Sequence, residues 1–266
     1  MAVICLASAK GSPGVTTAGL AFALSWSRPV VLAECDPAGG DIAAGYLRHL
    51  ELDGGHGLMQ FVVAELRGQA GEQFWPQLVD LEPPGAQRLL LPGIATPAQA
   101  ASLDPNWHSI ASFFASLEHG NPGFDVIADC GRLVAPHAPW PLLSRADLAL
   151  LVVKPTLSSL LPAHAVVQTL LGAAGPASEG RTGLLVVGDG EYDDRAVSRH
   201  LDVPVIAHLP DDCRSARVLA HGGTVRTRTP LFRAAAVAEG RVIRSISGRR
   251  DRLRGPVTRE AAHVDV

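Results

Sequence analysis

Six apolar runs punctuate the chain, at Ala2–Ala7, Pro29–Glu34, Phe124–Asp129, Leu148–Val153, Thr182–Val187 and Pro204–Leu209. Most are continuously apolar rather than alternating, which is the pattern of strands buried on both faces. Leu89–Leu91 is a shorter candidate for a further strand. Between these runs, helical patterns lie over Thr17–Ser25, Gly57–Arg67, His108–Leu117, Ser158–Leu171 and Asp193–His200. Strands alternating with helices predict an α/β fold, a mostly parallel β-sheet covered by helices on both faces with right-handed crossovers. Leu81–Asn106 carries five prolines and reads as a surface excursion. From Ser247 onward the chain turns polar and arginine-rich without apolar periodicity. One domain is therefore expected over residues 1–246, followed by a basic, flexible tail at 247–266.

Composition narrows the class. At 266 residues, 47% hydrophobic and with a mean hydropathy of +0.18, the chain is long enough to bury one large core. No uninterrupted apolar stretch has the length of a membrane span, so no transmembrane segment is expected. The apolar N-terminus lacks the basic start of a signal peptide, and Lys10 with its glycine-rich surroundings interrupts it; a buried first strand is the better reading. Cys5, Cys35, Cys130 and Cys213 show no C-x-x-C spacing and no histidine pairing, which fits a reducing cytoplasm and excludes a disulfide or zinc framework. The formal charge of −3 is unevenly placed: twelve arginines lie from Arg214 onward against four acids. Such an end suits nucleic acid or another anionic surface, or forms a solvated tail.

Ala9 to Thr17 reads Ala-Lys-Gly-Ser-Pro-Gly-Val-Thr-Thr. A buried strand feeding a glycine-rich turn into a helix N-terminus aims backbone N–H groups and the positive end of the helix dipole at a phosphate. Thr16 holds the position of the Mg²⁺-binding Ser/Thr in Gly-x-x-x-x-Gly-Lys-[Ser/Thr], but Val15 stands where the lysine belongs. Lys10 is the one cation left in the loop. Two further strands end in acids, at Glu34-Cys35-Asp36-Pro37 and at Asp129-Cys130-Gly131. In an open α/β sheet, ligands sit beyond the carboxyl ends of the strands, where the glycine loop also lies. Acids there can hold Mg²⁺ or its water shell, or orient an attacking water.

Together these segments resemble the ParA/MinD family of P-loop ATPases with a deviant Walker A motif. Lys10-Gly-Ser-Pro-Gly-Val-Thr-Thr17 aligns with that motif, Glu34 to Pro37 with the first switch, and Asp125 to Gly131 with Walker B and the second switch. Ala146 to Pro155 is similar to the strand after switch II, and Leu209-Pro-Asp-Asp212 to a segment near adenine. The resemblance implies ATP and Mg²⁺, with Gly11, Ser12, Gly14, Val15, Thr16 and Thr17 around the phosphates and Pro210 and Asp211 beside the base. It gives Mg²⁺ to Thr16 and Asp129, water or switch chemistry to Asp36, and γ-phosphate sensing to the Gly131 N–H. Lys10 would reach across a nucleotide-sandwiched homodimer.

Short segments at Gly57-Leu58 and Leu91-Pro92-Gly93 look like the CpaE/TadZ branch, which positions pilus and secretion machines. An ammonium on the phosphates contributes hydrogen bonds worth about 1.5–3 kcal/mol each. Val15 therefore implies an ATPase of weak or lost activity, acting as a switch or localisation factor. The alternatives are a scaffold that has lost its nucleotide, compatible with Pro13 lacking an N–H, and a DNA-partitioning or cell-division-site ATPase. A cytoplasmic protein recruited to a membrane or pole through partners is expected, because residues 248–266 offer no amphipathic anchor.

Overall fold

The computed structural model describes residues 1–11, 13–50, 55–173 and 180–254. Eight strands form one sheet: β1 (Val3–Ser8), β2 (Val30–Glu34), β3 (Val79–Asp80), β4 (Arg88–Leu91), β5 (Asp125–Arg132), β6 (Leu148–Val153), β7 (Thr182–Val187) and β8 (Val205–Leu209). Their order is β3-β4-β2-β5-β1-β6-β7-β8, and every neighbouring pair is parallel except β3 with β4. All six long apolar runs are strands, and Leu89–Leu91 is the body of β4. The expected α/β sandwich is the observed one.

The reason is visible in how each run divides. In β1, Val3, Cys5 and Ala7 join the core on one face of the sheet, while Ile4 and Leu6 join the core on the other. Because successive side chains alternate across a strand, a run buried on both faces has no position left for a polar residue. The first face is covered by α2 (Leu58–Leu66), α3 (Ala70–Gln73), α4 (Ala100–Leu103), α5 (Trp107–Ser116), α6 (Trp140–Arg145), α7 (Leu157–Ala173) and α8 (Asp194–Leu201). The second is covered by α1 (Val15–Ser25), α9 (Cys213–His221) and α10 (Pro230–Arg254).

Two sequence expectations need correction. The proline-rich stretch from Leu81 to Asn106 is not only a surface excursion: it carries β4 inside the sheet and buries Ala100 and Leu103. Its prolines fall in the connections, which leaves the β4 ladder intact. The boundary expected at 246 falls inside α10, which continues to Arg254. No apolar stripe holds this last stretch; ion pairs do. Arg249 is 4% exposed and meets Asp147, and Arg250 forks onto both oxygens of Glu118 at 3.2 and 3.0 Å while also reaching Asp147. Residues 255–266 of the expected tail lie outside the described residues. Among the described residues no helix is long and apolar enough to cross a membrane.

Candidate functional site

The carboxyl ends of β1, β2 and β5 lie side by side. Leu6 is in register with Asp129, and Asp129 with Glu34, so three strand ends reach one level of the sheet. Beyond β1 the chain turns through Gly11 (φ +80°) and Gly14 (φ +104°) into α1. Both conformations are left-handed and favour glycine. A Cβ on Gly11 would meet nothing within 4 Å. Among the described residues no side chain caps α1, which leaves its first N–H groups free of such a partner. Ser12 lies outside the described residues.

Val15 opens α1, and its side chain is 6% exposed, packed into the core beneath the helix. The next residue, Thr16, sits close enough to the Asp129 carboxylate for its hydroxyl to favour the charged form of that acid. Asp129 is 2% exposed. Burial, with the charges of Asp36 and Asp41 added to it, raises its pKa to about 6 against the opposing pull of Thr16 and the Gly131 N–H. The Gly131 N–H donates to Asp129 Oδ1 at 3.0 Å, so here it is engaged by the acid beside it. Asp36 folds back on its own loop, accepting the Ala38 N–H at 2.7 Å. Its carboxylate lies against Gly131, where a Cβ would come within 2.0 Å of it. Half-burial raises its pKa too, with Arg132 as the nearby charge pulling it down. Lys10 is exposed at the rim.

Glu34 has a role that the sequence did not disclose. Its Oε1 accepts the Asp41 and Ile42 N–H groups at 2.8 and 2.9 Å, and its Oε2 accepts the Gly93 N–H at 3.2 Å. The carboxyl thus fastens the loop after Asp36 to the turn after β4. The fit is close: a Cβ on Gly40 would stand 2.7 Å from Glu34 Oε2, and one on Gly57 would stand 2.5 Å from the Pro92 carbonyl oxygen. Gly57-Leu58 and Leu91-Pro92-Gly93, far apart in sequence, meet here through a Leu58 N–H to Pro92 O bond of 2.8 Å.

On the other side of the glycine turn, a cleft of about 210 Å³ is lined by Gly14, Thr17, Lys154, Pro210 and Asp211. Lys154 Nζ stands 4.0 Å from Asp211 Oδ2 across it. Lys154 was not among the expected site residues; the signal for it was a lone lysine at the end of the buried run Leu148–Val153.

A divalent cation fits this donor set. Mg²⁺ is held by one or two carboxylates together with phosphate oxygens and water, not by an all-protein cage. Thr16 and Asp129 supply a hydroxyl and a carboxylate side by side, next to the glycine turn.

A parallel sheet whose central strand β1 ends in a glycine turn at a helix N-terminus, with acids at the ends of the adjacent β5 and of β2 beyond it, has the layout of a P-loop fold. Its fold is that of the MinD/ParA P-loop NTPases. The MinD cell division protein of Aquifex aeolicus matches with a TM-score of 0.67 at 18% identity, over 91% of this chain and 97% of that one. A ParA family ATPase of Chlorobium tepidum TLS gives 0.67 and 18%, covering 90% and 97%. The septum site-determining protein MinD of Pyrococcus horikoshii, complexed with Mg-ADP, gives 0.66 and 19%, covering 96% and 97%. No protein-family model matches the chain, and no curated protein sequence does.

Proposed function

We propose that the chain is a nucleotide-dependent dimeric switch that binds ATP with Mg²⁺ and hydrolyses it slowly or not at all. The observation that carries this is the state of the glycine turn: the cradle, the uncapped helix N-terminus and the Thr16–Asp129 pair are present, while Val15 is sunk into the core. Backbone N–H groups would hold the phosphates and Thr16 with Asp129 the metal, which supplies charge neutralisation to the triphosphate. Pro210, Asp211 and Lys154 would flank the base. What is lost with the lysine is an ammonium on the transferring phosphoryl group, the interaction that matters most for turnover.

Lys10 would offset that loss from a partner's side, a reading its exposure at the rim supports. The short sequence likeness at Gly57-Leu58 and Leu91-Pro92-Gly93 motivates the further reading that the chain localises a pilus- or secretion-type machine. Titration calorimetry with Mg-ATP and Mg-ADP, with solution mass measured under each condition, tests the switch. The expected result is ATP binding accompanied by dimerisation, both lost in Lys10→Ala. No binding at millimolar Mg-ATP would leave a scaffold without a ligand.

A further inference from the structure

A second groove lies behind the nucleotide cleft, on the far side of the α9 N-terminus. It has a volume of about 860 Å³ and is lined by Arg48, Arg214, Arg217 and Arg226, with Val218 and Phe232 among its apolar lining. The four arginines come from three separate places: the turn before residue 50, helix α9, and the connection from α9 to α10. Tight packing brings the first to the other two. A Cβ on Gly45 would stand 2.5 Å from the Ala220 carbonyl oxygen, and one on Gly222 would stand 3.4 Å from Arg48 Nε. The turn therefore sits directly on the end of α9.

None of the four arginines takes part in an ion pair among the described residues. This contrasts with Arg249 and Arg250, whose charges are answered by Asp147 and Glu118. Among the described residues one acid, Asp212, lines the groove, and its carboxylate is engaged by the starts of α9 and α10: it accepts the Ser215 N–H at 3.1 Å, the Ser215 hydroxyl at 2.7 Å and the Leu231 N–H at 3.4 Å. Four like charges gathered around one concavity repel one another unless an anion sits among them. Guanidinium forks match phosphate oxygens two at a time. The volume lies in the range of small-molecule sites, roughly 300–1,000 Å³, and the apolar lining suits an organic body.

We propose that this groove binds a small, multiply phosphorylated organic anion, at a site separate from the nucleotide cleft. Concavity favours a small molecule over duplex nucleic acid, which is too broad to enter it. Asp212 also lines the base cleft, so the two sites share a wall.

Inorganic tripolyphosphate is the probe, titrated calorimetrically into the full chain. Three proteins are compared: wild type, the double variant Arg217→Gln/Arg226→Gln, and Lys10→Ala/Thr16→Ala, which disables the glycine turn. Binding is expected to hold within about twofold in the turn variant and to weaken about tenfold or more in the arginine variant, as loss of charge-assisted bonds requires. The opposite pattern would assign the anion to the glycine turn and overturn the proposal, as would no binding at millimolar probe. Displacement of the probe by duplex DNA at equal phosphate concentration would also overturn it, giving the arginines to nucleic acid. Should the glutamine variant melt early, Arg217→Lys/Arg226→Lys carries the test: charge without the fork is expected to weaken binding severalfold, and unchanged affinity would overturn the proposal.

Discussion

Replacing Glu34 by glutamine separates two things that this side chain does at once. It is 3% exposed and holds three backbone N–H groups, at Asp41, Ile42 and Gly93. Burial raises its pKa from 4.5 to about 7; the three N–H donors oppose that shift and the charge of Asp129 adds to it. A carboxyl whose folded pKa lies above its unfolded value keeps its proton in the folded state at a pH where the unfolded chain has released it. Its contribution to stability is complete below pH 4.5 and is lost as pH rises through about 7. At 1.36 kcal/mol per unit, that difference is on the order of 3 kcal/mol.

Glutamine cannot ionise, so the variant lacks this slope. It keeps one carbonyl oxygen for Asp41 and Ile42 but turns an amide NH₂ toward the Gly93 N–H, losing one bond worth about 1 kcal/mol or leaving that donor unpaired at about 1–3. Glu34→Gln is therefore expected to be less stable than wild type by about 1–3 kcal/mol at pH 5, and to equal or exceed it at pH 8.5. Asp129, whose pKa is raised to about 6, titrates in both proteins, so the difference between them reports Glu34 together with its coupling to Asp129. Urea unfolding at pH 5, 7 and 8.5 measures the gap. A gap that stays constant across that range would refute the reasoning, because it would mean the carboxyl carries the same charge in the folded and unfolded chain throughout.

Val15→Lys returns an ammonium to the start of α1. Mg-ATP affinity is expected to rise about 10- to 100-fold with some gain in hydrolysis, at a stability loss of about 1–2 kcal/mol as the new stem leaves the core; calorimetry and a phosphate-release assay read both, and unchanged affinity would mean that Val15 is not the limiting defect. Gly131→Ala places a Cβ within 2.0 Å of the Asp36 carboxylate at φ +59°. The left-handed backbone and the displaced Asp36–Ala38 bond together are expected to destabilise by about 2–3 kcal/mol, read by denaturant unfolding, with a change under about 0.5 contradicting the contact.

What the sequence made legible follows from range. The strands were readable because double-sided burial leaves an unbroken local record, as in Leu148–Val153, which is β6 residue for residue. The glycine turn and the acids at Asp36 and Asp129 were readable because each sits where a strand stops, and register then brings them together. Two-residue β3 leaves no periodicity to find. The end of α10 was missed for a different reason: its anchors, Glu118 and Asp147, lie 132 and 102 residues away from Arg250 and Arg249. An arginine destined for a buried ion pair looks, in sequence, like any solvated one. Glu34 was read as part of a motif, but its three N–H partners come from loops whose approach only the fold defines.

The electrostatics of the candidate site tie Val15 to the proposed dimer. Burial, with a smaller addition from the neighbouring carboxylate charges, raises the pKa values of Glu34, Asp36 and Asp129. A lysine at the start of α1 would place a cation beside this group; Val15 instead adds apolar surface to the core. A triphosphate entering such a site brings further negative charge, and few cations within the chain offset it. Lys10 stands at the exposed rim and Arg132 acts on Asp36 from the edge. Much of the counter-charge then comes, on the proposed reading, from Mg²⁺ and from a partner chain. On the proposed reading, a single chain binds nucleotide weakly and a pair binds it well, since each chain lends its Lys10 to the other's phosphates. Binding and dimerisation then become one event, and slow hydrolysis follows because the cation that would act on the phosphoryl group is held at the rim by a partner and not fixed at the helix start.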